Sequence, residues 1–198
     1  MVDALAPHVA AGATVVGLEP SCLLALRDEF LVMELGDAAQ RLATRALMIE
    51  EFLAREQREG RLELPLKSLP QKKVLVHGHC HQKAFDVLNP AVAVLKLIPG
   101  LQVEVIESSC CGMAGSFGYE AAHYDVSMKM AELSLLPAVR AAGDDTLIVA
   151  DGTSCRHQIA DGTRASRPRE AVHVVRVLAS ALDPVAEGMR GIRARSAN

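Results

Sequence analysis

The sequence predicts an α/β fold built on a mostly parallel sheet flanked by helices, and three observations lead there. Short β-branched runs bounded by Gly, Pro or Asp recur at Thr14–Leu18, Lys73–Val76, Val103–Ile106 and Leu147–Ala150. Stretches with apolar residues at helical spacing separate them, and such alternation argues for a parallel sheet covered on both faces. Each run is also followed by cysteine, at Cys22, Cys80, Cys110-Cys111 and Cys155. The cysteine comes four positions after the first three runs and five after the last. Parallel strands share a carboxyl edge, where open α/β sheets place their ligands, so this spacing gathers thiols at one rim.

Pro20–Glu29 reads as a short helix after the first strand. Asp37–Glu56 reads as a longer one, with Leu42, Ala46, Ile49 and Leu53 near helical spacing and Arg45, Glu51 and Arg55 interleaved. Glu59–Lys73, rich in Gly, Pro and Lys, reads as a linker. Pro90–Ile98 is expected to be helical, with Pro90 in its first turn and Pro99-Gly100 as its stop. Tyr119–Ala142 carries Ala122, Val126, Met130 and Leu133 at spacings of three and four, which predicts the longest helix, kinked at Pro137. Ala171–Leu182 is expected to close the fold as a helix. The expected divisions are 1–66, a small N-terminal piece, 72–183, a fuller unit, and 184–198, a flexible tail.

Composition narrows the classes. The chain has 198 residues, half of them hydrophobic, which is ample for a core. A formal charge of −3 without a basic stripe points away from nucleic acid. No secretory signal is expected, since Met1–Leu5 has no basic segment followed by an apolar stretch, and no transmembrane segment, since Lys96 breaks the apolar run Ala91–Ile98. Five cysteines without a signal point to a reducing compartment, hence to metal or redox chemistry rather than a disulfide framework.

Val15–Cys22 resembles Ile148–Cys155 with one residue inserted: strand, acidic residue (Glu19, Asp151), turn, Ser-Cys, helix. The offset between the two exceeds the chain that precedes Cys22. An incomplete N-terminal half-repeat follows, with Cys22 a candidate ligand of that first repeat. In the second unit, Cys80, Cys110, Cys111 and Cys155 lie too far apart for a zinc finger and suit ligands delivered by separate βα loops. Thiolates select iron–sulfur clusters, zinc or cuprous copper, and four of them match a four-iron cluster. Gly112, Gly115 and Gly118 allow close backbone approach, and a helix beginning at Tyr119 would aim N–H groups at an anionic centre. His77, His79 and His81 flank Cys80. If the strand stays extended they face one way and Cys80 the other, as donors around the site or a proton relay. His157 is a candidate ligand where a further cysteine is missing, and Arg156 a candidate counter-charge. Ser21 and Ser154 are assigned to helix caps. Two other readings stand beside this one: a zinc-stabilised structural α/β domain, and thiol catalysis by Cys80 with His79 or His81 as base.

The motifs His77-Gly78-His79-Cys80-His81-Gln82-Lys83, Cys110-Cys111-Gly112-Met113-Ala114-Gly115-Ser116-Phe117-Gly118, Ala150-Asp151-Gly152-Thr153-Ser154-Cys155-Arg156-His157 and Leu18-Glu19-Pro20-Ser21-Cys22 resemble the cysteine-rich CCG domain family. That family includes the CCG-bearing component of heterodisulfide reductase and the iron–sulfur components of glycolate oxidase and anaerobic glycerol-3-phosphate dehydrogenase. The resemblance is strongest to the C-terminal part of FAD-linked oxidases of D-2-hydroxy acids such as D-lactate. It implies a Rossmann-like fold and a 4Fe-4S cluster, non-cubane in some members, held by Cys80, Cys110, Cys111 and Cys155. It further implies FAD on a missing domain or partner, upstream Fe–S centres, an acceptor such as quinone, and a cytoplasmic location, peripheral to the inner membrane through partners. The implied function is electron transfer, with a component like that of heterodisulfide reductase as the neighbouring alternative. One departure weakens that alternative: Gln158 stands where those reductases have the last cysteine of Cys-x-x-Cys.

Overall fold

The structure, a computed structural model, describes residues 1–183, and the expected tail at 184–198 lies outside them. The chain opens with α1 (Val2–Ala10), β1 (Val15–Gly17), α2 (Pro20–Leu24), a 3₁₀ turn at Ala25–Arg27 and α3 (Glu29–Val32). It continues with α4 (Gly36–Arg45), β2 (Ala46–Met48) and α5 (Ile49–Arg58). The single helix expected over Asp37–Glu56 is therefore two helices with a strand between them. Ala46 turns extended at ψ 117°, and β2 pairs in parallel with β1, Val15 opposite Ala46 and Gly17 opposite Met48. Helix then restarts through a capping box, because Glu51 reaches back to accept from the Met48 N–H at 2.9 Å. Arg27 fixes that carboxylate from across the unit with contacts of 2.8 and 3.1 Å. Ala46 and Met48 are both buried, and tertiary burial overrides the helical spacing that runs through them.

The second sheet begins with β3 (Lys73–His77), followed by α6 (Cys80–Ala84), α7 (Leu88–Leu95), β4 (Gln102–Val105), α8 (Tyr124–Glu132) and α9 (Leu135–Ala141). β5 (Thr146–Ala150), α10 (Thr153–Thr163), β6 (Ala171–Val172) and α11 (Val174–Ala181) complete it. Its strand order is β4-β3-β5-β6, every pair parallel, so the α/β class with parallel sheets flanked by helices holds. Alternation along the strands supplies both faces. Val74, Val76 and Val149 join Val94, Leu95, Val177 and Leu178 in one core. Leu75, Ile148 and Ala150 join Leu135, Val139 and Ile159 in the other. Each fully buried aliphatic contributes about 1.5–3 kcal/mol, so these layers fix where the sheet's rim lies.

Three further helices differ from expectation. Pro20–Glu29 is not one helix, because α2 gives way to the 3₁₀ turn and Asp28 (φ −134°, ψ −82°) breaks the chain before α3. Tyr119–Ala142 is not continuous: 3₁₀ turns at Phe117–Tyr119 and Ala121–His123 precede α8, and Ser134 (φ −157°, ψ −37°) separates α8 from α9. Pro137 sits in the first turn of α9, where its missing N–H would have had no partner, so it follows the break rather than kinking a helix. Ala171–Leu182 starts as β6, because Ala171 and Val172 pair with Ile148 and Val149 before the helix begins. The expected linker has no regular helix, and its Leu66 bridges Leu182. No helix of the described residues is long and apolar enough to cross a membrane.

From β3 the chain moves outward to β4, then returns past β3 to β5. The crevice beyond the carboxyl ends of β3 and β5 is thus the topological switch point. Cys80 and Cys155 leave from those two ends, and Cys110-Cys111 from the end of β4.

Candidate metal centre

The four thiols of the second unit meet. Cys80 interacts with Cys110, Cys110 with Cys111, Cys111 with Cys155, and Cys155 with His77. A ring nitrogen of His77 and the Sγ atoms of Cys111 and Cys155 lie within 4.8 Å of one another, all three residues buried. Cys80 and Cys110 are half-buried and, with Cys111, line a cavity of about 400 Å³ bordered also by His79, His81, Met113, Tyr119, Glu19 and Thr153.

Helix starts position the sulfurs. Cys80 is the first residue of α6 and Cys155 the third of α10. The N–H groups at the sulfurs come from the start of α6 and from the cysteine loop, not from a helix beginning at Tyr119. Because the chain turns after His77, the extended alternation expected for His77, His79, Cys80 and His81 does not form. His79 instead caps α6: its Nδ1 accepts from the His81 N–H at 3.2 Å and lies 3.8 Å from Cys80 Sγ. An Nδ1 that accepts leaves the proton on Nε2, and burial lowers the ring's pKa, so His79 is neutral.

The loop that carries Cys110-Cys111 is tied from three sides. Lys83 Nζ donates to the carbonyls of Ser108 and Ser109, the latter at 2.9 Å. Gln158 Nε2 donates to Cys111 O at 2.9 Å, and to Ser127 O and Oγ at 3.1 and 2.9 Å. Gly112, at φ +90°, donates its N–H to Cys110 Sγ at 3.3 Å. A Cβ there would meet Ser127 O at 2.3 Å, so the turn requires glycine.

The protons within the group are uneven. Cys110 is held far below an ordinary thiol, first by Cys111 and then by Cys80 hydrogen-bonding to it, while those two are pushed up by the same contacts. Cys155 is held low first by Cys111. Four converging sulfurs, some of them held low, suit a thiophilic cation, whose binding would displace their protons. The close backbone supports the same fit: a Cβ on Gly152 would come 2.4 Å from the His79 ring and 3.2 Å from Cys155 Sγ.

Other expected site residues lie elsewhere. Cys22 is exposed and does not line the cavity, although it is the third residue of α2 as Cys155 is of α10. His157 is exposed, its Nδ1 3.0 Å from Tyr119 Oη, and does not fill a ligand position. Arg156 spends its guanidinium on the carbonyls of Ala150 and Asp151 and on Thr153 Oγ1. Ser21 and Ser154 lie inside the first turns, where Glu19 and Gly152 occupy the N-cap positions, so neither serine is a cap.

Some residues around the site carry no expectation from sequence. Gln82 Nε2 donates to Glu50 Oε1 at 2.7 Å and to Asp151 Oδ2 at 2.8 Å, and its Oε1 accepts from the His79 N–H at 3.0 Å. The one signal for Gln82 is its place three residues after a potential N-cap. Glu19 Oε2 accepts from Thr153 N at 2.9 Å and Thr153 Oγ1 at 2.8 Å, so the N-terminal unit caps α10.

Compared with known proteins, the chain is 34% identical over 176 residues to one component of the anaerobic glycerol-3-phosphate dehydrogenase of Escherichia coli, covering 86% of this chain and 41% of that protein. It is 30% identical over 165 residues to D-2-hydroxyglutarate dehydrogenase of the same species, covering 81% of this chain and 15% of that protein. The D-2-hydroxyglutarate dehydrogenase of Pantoea ananatis is 27% identical over 165 residues. No family model matches the chain, and no solved structure matches it significantly. The chain thus spans less than half the length of the curated relatives it matches, and its homologues are a dehydrogenase component and a dehydrogenase.

Proposed function

We propose that this chain is the iron–sulfur electron-transfer module of a flavin-linked 2-hydroxy-acid dehydrogenase of the CCG type. Its centre, a four-iron cluster, is held by Cys80, Cys110, Cys111 and Cys155. The observation that carries this reading is the meeting of four thiols, delivered by three βα loops, at the rim where such sheets bind ligands. The dehydrogenase names of the relatives support it. When bound, the cluster supplies one-electron chemistry between a flavin on a partner or missing domain, with further Fe–S centres, and an acceptor such as quinone. The chain's own residues hold and tune it. The Gly112 N–H directed at Cys110 Sγ raises its potential, and neutral His79 adds no charge beside Cys80. Disulfide reduction is the weaker reading, because Gln158 is committed to Cys111 O and Ser127. Residues 1–66 fit a first CCG-type repeat of which the second half is present, and 72–183 a complete one. The module belongs in the cytoplasm, reaching the inner membrane through partners.

The test is anaerobic purification followed by iron and acid-labile sulfide analysis and EPR. A sulfide-containing centre is expected. Serine at Cys80, Cys110, Cys111 or Cys155 should each remove most of the iron, and Cys22→Ser should remove none. Stoichiometric zinc without acid-labile sulfide would overturn the cluster and favour a structural metal domain.

A further inference from the structure

His77 is the last residue of β3, on the strand face it shares with Leu75, and it is 1% exposed. Its Nδ1 lies 2.8 Å from Ser108 Oγ. That hydroxyl has its own acceptor in Ile106 O at 3.5 Å, so it is free to accept from Nδ1–H. In the tautomer this arrangement favours, the proton sits on Nδ1 and Nε2 presents a lone pair. Nε2 is buried and has no hydrogen-bond partner. A buried acceptor without a donor is destabilising, and it persists where a ligand completes it. What lies beside the ring is sulfur, since Cys111 Sγ and Cys155 Sγ are both within 4.8 Å of one of its nitrogens.

We propose that His77 is a metal ligand, giving its Nε2 to the centre alongside Cys111 and Cys155. This goes beyond the four-thiolate assignment and rests on the reading that a metal centre occupies this group. Ser108 is the positioning residue: by accepting Nδ1–H it selects the ligating tautomer and fixes the ring's rotation, as the outer partners of metal-bound histidines do. Lys83, donating to Ser108 O and Ser109 O, holds that loop in turn. The nitrogen joins the buried end of the group, and Cys80 and Cys110 serve the end that lines the cavity. A neutral imidazole adds no negative charge where a further thiolate would, so the centre's reduction potential is raised. Were His77 only a donor to sulfur, its N–H would have to be on Nε2, and Ser108 would then have to donate to Nδ1 and give up Ile106 O.

The deciding measurement is pulsed EPR on ¹⁵N-histidine-labelled protein, reconstituted anaerobically with ferrous iron and sulfide and then reduced. A strongly coupled histidine nitrogen is expected in the unaltered protein and in His79→Ala, and its loss is expected in His77→Ala. A centre with full iron and sulfide but no coupled histidine nitrogen overturns the proposal while leaving the cluster reading intact. If no sulfide-containing centre forms, the cluster reading fails and zinc binding decides the ligand. X-ray absorption should then show a nitrogen at about 2.0–2.1 Å among the zinc donors. Ser108→Ala, which keeps every ligand, should weaken zinc by about 10-fold. An all-sulfur shell, an unchanged zinc affinity in Ser108→Ala, or failure to bind either metal would each refute His77 as a ligand.

Discussion

Glu50 is fully buried, and Oε2 of its carboxyl has no hydrogen-bond partner. Burial first, and the nearby Asp151 second, push its pKa from 4.5 to about 8. The other groups facing it are Gln82, which bonds both carboxyls, and Glu51, whose charge is met by Arg27. His173, 3.5 Å from Asp151, accepts on Nδ1 from Val175 N. Between pH 4.5 and about 8 the unfolded chain releases this proton and the folded chain keeps it. The folded state then holds more protons, and stability falls as pH rises. The stabilisation is complete below 4.5 and lost as pH passes about 8. Glu50→Gln should flatten that decline, making the variant the more stable form at about pH 8. Urea midpoints of metal-free protein at about pH 5 and about pH 8 measure this, and identical slopes in both proteins would exclude a protonated Glu50. Its role was not legible in the sequence, where Glu50 stands among Arg45, Glu51 and Arg55 as one more charge on an amphipathic helix. Burial comes from packing α5 against the second unit, which no local pattern encodes.

At the scale of elements, what was legible was what period and punctuation determine. β3, β5 and the cysteine positions at the rim follow from β-branched runs ended by Gly or Asp. β2 and β6, three and two residues long, were not legible, because so short a strand leaves no alternation to read and neither is set off from its helix by the Gly or Pro that marks β1. The break at Ser134 was hidden for the opposite reason: apolar spacing continues across it, and Pro137 draws attention to the wrong residue. Gln158 belongs here too, as the side chain that joins α10 to α8 and to the cysteine loop. Gln158→Leu keeps the volume but leaves Cys111 O, Ser127 O and Ser127 Oγ without that donor. The expected cost is about 2–3 kcal/mol in urea unfolding. A change within about 0.5 kcal/mol would mean that the loop holds itself.

Across the whole molecule, the N-terminal unit repeats the closing half of the second. β1 leads through N-cap Glu19 to a helix whose third residue is Cys22, and β5 through N-cap Gly152 to one whose third residue is Cys155. β2 then runs directly into α5 as β6 does, through one residue, into α11. β5, however, is flanked by β3 and β6, whereas among the described residues β1 pairs only with β2. The likeness supports our inference that 1–66 is part of a repeat, with an edge of β1 open to further strands. What the unit contributes within this chain is a brace. Glu19 supplies the cap that α10 lacks from its own sequence, since Gly152 offers no side chain. His173 Nε2 donates to Leu18 O at 2.8 Å beside it. Glu19→Ala should therefore act at a distance in sequence, costing about 1 kcal/mol as the loss of an N-cap does. Because Thr153 N–H loses its acceptor, amide exchange should accelerate at the start of α10 near Cys155, with α9 and α11 unaffected. Exchange confined to the neighbourhood of Glu19 would instead show that the two units stand side by side without bracing the thiols.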